Sequence, residues 1–205
     1  MPTNPADRDR NAPADATGAP AGTARLRLRR LTPADADALA ALHGDPAVMR
    51  HIDDGRPVPP DVVARETLPA LLREYRELPV GHGCFAAEER AGGAFVGWFA
   101  LRPAATRGLA GGGTELGYRL RPAAWGRGYA TEGARAMVAH AFAELGADRL
   151  VATTMTVNTG SRRVLEKAGL VLVRTFFEDW PEYIEGAEHG DVEYALTRAE
   201  WAARP

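Results

Sequence analysis

The chain has 205 residues, 45% of them hydrophobic, and a formal net charge of −2. That length fits one ordinary domain with a real core, and the near-neutral balance with no long basic run leaves no nucleic-acid footprint. No apolar run approaches the roughly 20 residues of a membrane helix, the N-terminus has no apolar signal region, and the lone Cys84 excludes an internal disulfide. A soluble, cytoplasmic protein is the expectation.

Residues 1–24 are Pro, Ala, Asp, Gly and Thr with almost no large apolar side chain, so burial cannot offset their ordering entropy, and a disordered tail is expected. Residues 25–205 are expected to form a single domain. Its first strand, Arg25 to Leu31, alternates Leu26 and Leu28 with Arg27 and Arg29. Thr32, Pro33 and Asp35 then start a short helix running to about His43. A second helical stretch spans Asp61 to about Leu78, and Pro69 should kink or split it. His82–Glu88 and Ala94–Leu101 make a strand pair across the turn at Arg90–Gly93. Arg102–Gly113 is a Gly- and Ala-rich loop.

Thr114–Leu120 comes next as a central strand, and a long helix runs from about Tyr129 to Leu145. Ala134, Met137, Val138, Ala141 and Phe142 lie on one stripe of that helix, and Gly146 ends it. The remaining elements are a strand over Arg149–Met155, a helix over Thr159–Ala168 closed by Gly169, and strands over Leu170–Phe177 and Asp191–Thr197. The pattern is mixed α/β.

The most informative stretch is Glu115–Glu132. It reads as strand, glycine loop and helix start. Gly126 and Gly128 leave backbone N–H groups uncovered where the helix dipole is positive, so the loop suits a phosphate. A P-loop is excluded, since no Gly-x4-Gly-Lys-Ser/Thr occurs. A dinucleotide fold is disfavoured, since the strand ending at Met155 leads into Thr156, Val157 and Asn158 with no carboxylate for a ribose.

The chain continues instead with Asn158-Thr-Gly-Ser161-Arg-Arg-Val-Leu165-Glu-Lys-Ala-Gly169. With the glycine loop, this segment resembles the GNAT superfamily of acyl-coenzyme A-dependent N-acyltransferases. Tyr118–Glu132, with its Trp-Gly-x-Gly-Tyr-Ala-x-Glu run, is similar to the branch that acetylates ribosomal-protein N-termini. Arg25–Asp37, Asp45–Met49 and Asp191–Trp201 extend the likeness over nearly all of the chain after the tail.

The resemblance implies a GNAT fold: a mostly antiparallel sheet of about seven strands, splayed in the middle and flanked by about four helices. It implies transfer of an acetyl group from acetyl-CoA to a primary amine by direct attack in a ternary complex, with no metal. Tyr118 and Leu120 would offer backbone groups to the pantetheine arm. Gly126, Arg127, Gly128, Tyr129, Ala130 and Thr131 would hold the pyrophosphate. Asn158 would contact the pantetheine or, on the residues alone, cap the helix that starts after it.

Glu115, on the central strand where the splay should begin, is the candidate base. Many family members place a Tyr acid seven residues after the Asn, but this chain has Leu165 there. Ser161, one helical turn earlier, is the candidate that would bond the leaving thiolate. Loss of that Tyr also leaves open a non-catalytic CoA-binding module.

Asp53, Asp54, Glu178, Asp179, Glu182, Glu185 and Glu188 would form an acidic rim, suited to a cationic amine or simply solvated. Trp180, Tyr183 and Phe177 would wall the acceptor cleft or pack it. The five histidines have no metal spacing. The expected partner is a small-molecule or peptide amine, and the expected assembly a monomer or homodimer.

Overall fold

The structure, a computed structural model, describes residues 18–109, 111–177 and 184–204. Seven strands form one sheet in the order β1-β2-β3-β4-β5-β7-β6: β1 (Leu26–Arg30), β2 (Gly83–Glu89), β3 (Phe95–Pro103), β4 (Thr114–Leu120), β5 (Arg149–Met155), β6 (Val171–Phe176) and β7 (Asp191–Thr197). All neighbours are antiparallel except β4 and β5.

Alternation along the strands divides the core between two faces. On one face, Leu26, Phe85, Phe99, Leu116 and Leu120 meet α5 (Tyr129–Ala143) and α6 (Thr159–Ala168). On the other, Cys84, Ala86, Trp98 and Ala100 meet α1 (Ala36–His43), α2 (Pro46–Met49) and a longer helical run. That run is α3 (Pro60–Val62), one π turn over Val63–Thr67, and α4 (Leu68–Glu77). Pro69 cannot donate an N–H, and the π turn just ahead of it absorbs the mismatch, so the helix is re-registered rather than broken. A last helix, α7 (Arg198–Ala202), starts at a capping box of Thr197 and Glu200. Among the described residues no helix is long and apolar enough to cross a membrane.

The expected tail needs correction at its inner end. Ala19 is buried, Thr23 N donates to Leu26 O at 2.8 Å, and Arg90 Nε donates to Thr23 O at 2.7 Å. The Thr23 hydroxyl donates to Glu132 Oε1, and Arg25 Nε donates to Glu132 Oε2 at 2.6 Å. Polar contacts hold this segment, and a count of large apolar residues does not register them.

Candidate active site

The centre of the sheet is open on one side of β4. Its only pairs with β5 are Thr114↔Leu150 and Glu115↔Val151. Beyond Glu115 the two strands part, and Thr153 is exposed although it lies in an interior strand. On the other side β4 stays paired with β3 along its whole length.

Arg121 N donates to Val96 O at 3.0 Å, which fixes the parity of the β3–β4 ladder. Glu115, Gly117 and Arg119 turn their backbone groups to β3, while Tyr118 and Leu120 turn theirs into the gap. The Leu120 carbonyl is already taken by Trp125 Nε1 at 2.8 Å. The Tyr118 N–H and C=O and the Leu120 N–H therefore form an unpaired edge, the arrangement that an amide-bearing chain fills as an added strand.

The glycine loop closes the open end of the gap. Gly126 and Gly128 have φ values of 71° and 82°, which favour glycine, and a Cβ on Gly126 would meet nothing within 4 Å. Glu132 N is the first of its helix to reach a carbonyl, Gly128 O at 3.0 Å. The N–H groups from Gly126 to Thr131 have no acceptor among the described residues, and α5 has no side-chain cap. Orphan donors at the N-terminus of a 15-residue helix suit an anion.

The loop is braced from outside. Arg25 donates to Arg127 O at 3.0 Å, and the Arg25 and Arg127 guanidiniums lie 4.5 and 5.0 Å from the Tyr129 ring centre. Arg127 also pairs with Glu89 at 3.3 Å.

Across the gap, Asn158 caps α6: its Oδ1 accepts from Ser161 N at 3.1 Å, which realises the helix-cap reading. Its Nδ2 has no partner among the described residues. Ser161 Oγ lies 2.9 Å from the Tyr118 hydroxyl, which also donates to Ser161 O at 3.1 Å. Sequence reasoning used only the backbone of Tyr118. The signal for its side chain was strand alternation, which aims Tyr118 at the α6 face together with Leu116 and Leu120. Burial raises the Tyr118 pKa, against the hydrogen bond from Ser161, so the hydroxyl keeps its proton. Leu165 is buried in the core.

Glu115, Gly117 and Arg119 project to the opposite face, toward α1, α2 and α4. Glu115 Oε2 is buried without a hydrogen bond, 3.8 Å from Arg102 Nη1. Burial raises the Glu115 pKa, and Arg102 only partly opposes the rise. Arg102 in turn donates to Glu74 Oε1 at 2.7 Å. The result is a carboxyl group whose pKa is raised by burial beside a strand opening, which suits a proton acceptor.

The rim is only partly described. Gly55 lies against Ile184: a Cβ on Gly55 would be 3.4 Å from Ile184 Cγ2, so the loops after α2 and before β7 meet there. Asp53 approaches Arg119 at 3.8 Å, and Glu188 approaches His189 at 3.7 Å. Glu178, Asp179, Trp180, Glu182 and Tyr183 lie outside the described residues. Phe177 is exposed, with its ring beside Gly190. Among the described residues no group of three or more His, Cys, Asp or Glu is placed to hold a metal.

Comparison with known proteins gives the family and the fold. A family model described as an acetyltransferase (GNAT) domain matches residues 25–171. FsC-acetyl coenzyme A-N(2)-transacetylase of Aspergillus fumigatus is 39% identical over 183 residues, covering 87% of this chain and 76% of that protein. Two solved structures share the fold. One is RimL, ribosomal L7/L12 alpha-N-protein acetyltransferase in complex with coenzyme A (TM-score 0.68, 19% identity, 87% of this chain and 97% of that one). The other is spermidine N-acetyltransferase from Vibrio cholerae in complex with CoA and spermine (TM-score 0.69, 16% identity, 86% and 98%).

Proposed function

The chain belongs to the GNAT acetyltransferase family and is an N-acetyltransferase drawing on acetyl-CoA, and from that premise we propose a direct transfer to a primary amine with Glu115 as base. Acetyl-CoA supplies the activated acetyl thioester. The orphan N–H groups from Gly126 to Thr131 suit its pyrophosphate, and the unpaired edge at Tyr118 and Leu120 suits its pantetheine amides. Both hold the coenzyme in one place, so much of the acceleration is positioning.

Glu115 takes the proton that the amine must lose to attack, and Arg102 stands ready to balance a charged Glu115. On the opposite face, the Tyr118–Ser161 hydroxyl pair supplies a donor for the departing sulfur. A coenzyme thiol is a stronger acid than a buried tyrosine, as the ordinary values of about 8.5 and about 10 indicate. The pair therefore acts through a hydrogen bond that strengthens as charge develops, not through full proton transfer.

The observation that carries this reading is the parting of β4 from β5 immediately after Glu115. The name of the Aspergillus relative, an N(2)-transacetylase, also favours a nitrogen acceptor. The test is release of free thiol from acetyl-CoA across a panel of amines. Release that depends on an amine, and that is lost when Glu115 is neutralised, supports the proposal. Tight coenzyme binding with no release on any amine would revive the non-catalytic module.

A further inference from the structure

The acceptor face of β4 holds more hydrogen-bond donors than acceptors. Arg119 is nine-tenths buried, and its Nε has no hydrogen-bond partner. Its Nη1 lies 3.2 Å from Met49 Sδ, a weak acceptor, and 3.2 Å from His43 Nδ1. The imidazole cannot serve both of its neighbours. Trp98 Nε1, which only donates, points at His43 Nε2 from 3.3 Å. If Nε2 accepts, the ring proton sits on Nδ1 and faces the guanidinium. If Nδ1 accepts, the Trp98 N–H is orphaned instead. Either way one buried donor is left over. A charged ring would worsen the conflict, and burial, helped by Arg119, pushes the His43 pKa down to about 4.

Counter-charge is equally short. Among the described residues the one carboxylate near Arg119 is Asp53, at 3.8 Å and 70% exposed. Arg102, by contrast, has Glu74 at 2.7 Å and Glu115 at 3.8 Å. A buried cation without a close anion is costly. The anionic end of the coenzyme does not meet this need, because its phosphates are proposed for the loop at Gly126–Thr131 and Arg119 sends its side chain to the opposite face of β4.

On the proposed acetyl-transfer reading of this site, we infer that Arg119 binds a carboxylate on the acceptor, so that the substrate is an amine carrying a carboxylate several bonds away. The amine lies toward Glu115 and the carboxylate toward Arg119. They stand four positions apart on one strand face, about 13 Å at the strand rise of roughly 3.3 Å per residue. Gly117 stands between them without a side chain, and the Trp98 ring lies alongside, with the Arg102 and Arg119 guanidinium carbons 5.8 and 5.5 Å from its centre. The planar guanidinium matches a carboxylate in two parallel hydrogen bonds. The acidic rim expected from sequence would favour a cationic acceptor, but Asp53 is drawn toward Arg119 and opposes it only weakly.

The test uses the full chain, acetyl-CoA and a series of unbranched ω-amino acids, each paired with its primary amide and with the plain alkylamine of equal length. Thiol release gives kcat/KM for each. The expected result is a preference of tenfold or more for the acid over its amide, greatest at one chain length. Arg119→Gln should bring that ratio close to one, and Arg119→Lys should restore part of it. Equal rates for acid and amide in the unaltered protein would overturn the inference without needing a folded variant, and would leave the amine acetyltransferase standing. An equal loss on acid and amide in Arg119→Gln would also overturn it. Silence on every amine would sink both readings. Calorimetric binding of acetyl-CoA by each variant confirms that it is folded.

Discussion

Removing one hydroxyl from Tyr118 tests whether the leaving sulfur is assisted. Tyr118→Phe keeps the ring, whose centre lies 6.0 Å from that of Phe99, so packing on the α5 face survives. The variant loses the contacts to Ser161 Oγ at 2.9 Å and Ser161 O at 3.1 Å. In the ground state that is one net hydrogen bond, about 0.5–1.5 kcal/mol of stability. In the transition state the loss is larger, because a donor is missing where charge develops. A single donor to a developing oxyanion contributes about 2.7–4 kcal/mol. Sulfur is the weaker acceptor, so roughly 1.4–2.8 kcal/mol is expected, a fall of about 10- to 100-fold in kcat. KM for acetyl-CoA should change little, since the Tyr118 backbone is untouched. Ser161→Ala should cost about the same, and the double variant little more than either, because the two hydroxyls act as one unit. Steady-state thiol release on all four proteins closes the cycle, and urea unfolding reports the stability change. A Tyr118→Phe kcat within threefold of the parent, or losses that multiply in the double variant, would refute this account.

Glu115→Gln should lower kcat by about 10²–10⁴ and remove the acidic limb of the pH–rate profile. In the parent that limb falls as pH drops through a Glu115 pKa raised by burial, hence above the ordinary carboxylate range. A raised pKa also means that ionised Glu115 costs stability as pH rises through it. Glu115→Gln should therefore unfold at the same or a higher urea concentration at pH 7, with any gain gone below about pH 4, where folded and unfolded carboxyls are both protonated. Gly128→Val puts a β-branched residue at φ 82°, with its Cβ 3.3 Å from Arg25 Nη2. Calorimetry should show acetyl-CoA affinity down more than tenfold in a protein that still folds. Gly133→Ala tests the packing of α5: the new Cβ would lie 2.1–2.7 Å from three Phe99 ring atoms. The helix gains about 1 kcal/mol in propensity, but overpacking costs about 1–3 kcal/mol or more, so the urea midpoint should fall.

The legible parts of this chain are those where local signals agree. β4, β5 and α6 have the expected bounds, because each is a clean periodic run closed by a turn or glycine signal; Gly169, at φ 101°, ends α6 as a left-handed C-cap. The glycine loop was legible for the same reason. Other features depend on pairing between distant residues. Thr23 and Arg25 are ordered through Glu132, more than a hundred positions away. α7 was missed although Thr197 and Glu200 carry a capping-box signal, because the strand signal of β7 runs up to Thr197. The acceptor face was hidden more deeply. Nothing in the run Glu-Leu-Gly-Tyr-Arg tells which alternate residues meet Trp98 and His43, because that depends on the β3–β4 register and on helices from the first third of the chain.

That register gives β4 two separate jobs through its alternation. Leu116, Tyr118 and Leu120 send their side chains to the α5–α6 face, and Tyr118 and Leu120 send their backbone groups into the gap, where the coenzyme is proposed to lie. Glu115, Gly117 and Arg119 send their side chains to the acceptor face and bind β3 through their backbones. The proposed coenzyme edge is thus largely main chain, so coenzyme affinity should tolerate side-chain change provided the glycines and the parting from β5 are kept. The proposed acceptor surface draws on the side chains of Glu115 and Arg119, so substitutions there should alter transfer without altering the proposed coenzyme edge. A one-residue slip of β4 against β3 would exchange the two sets at once. The paired length of β3 and β4, from Gly97↔Leu120 to Pro103↔Thr114, is therefore what keeps the proposed base and the coenzyme edge on their proper sides.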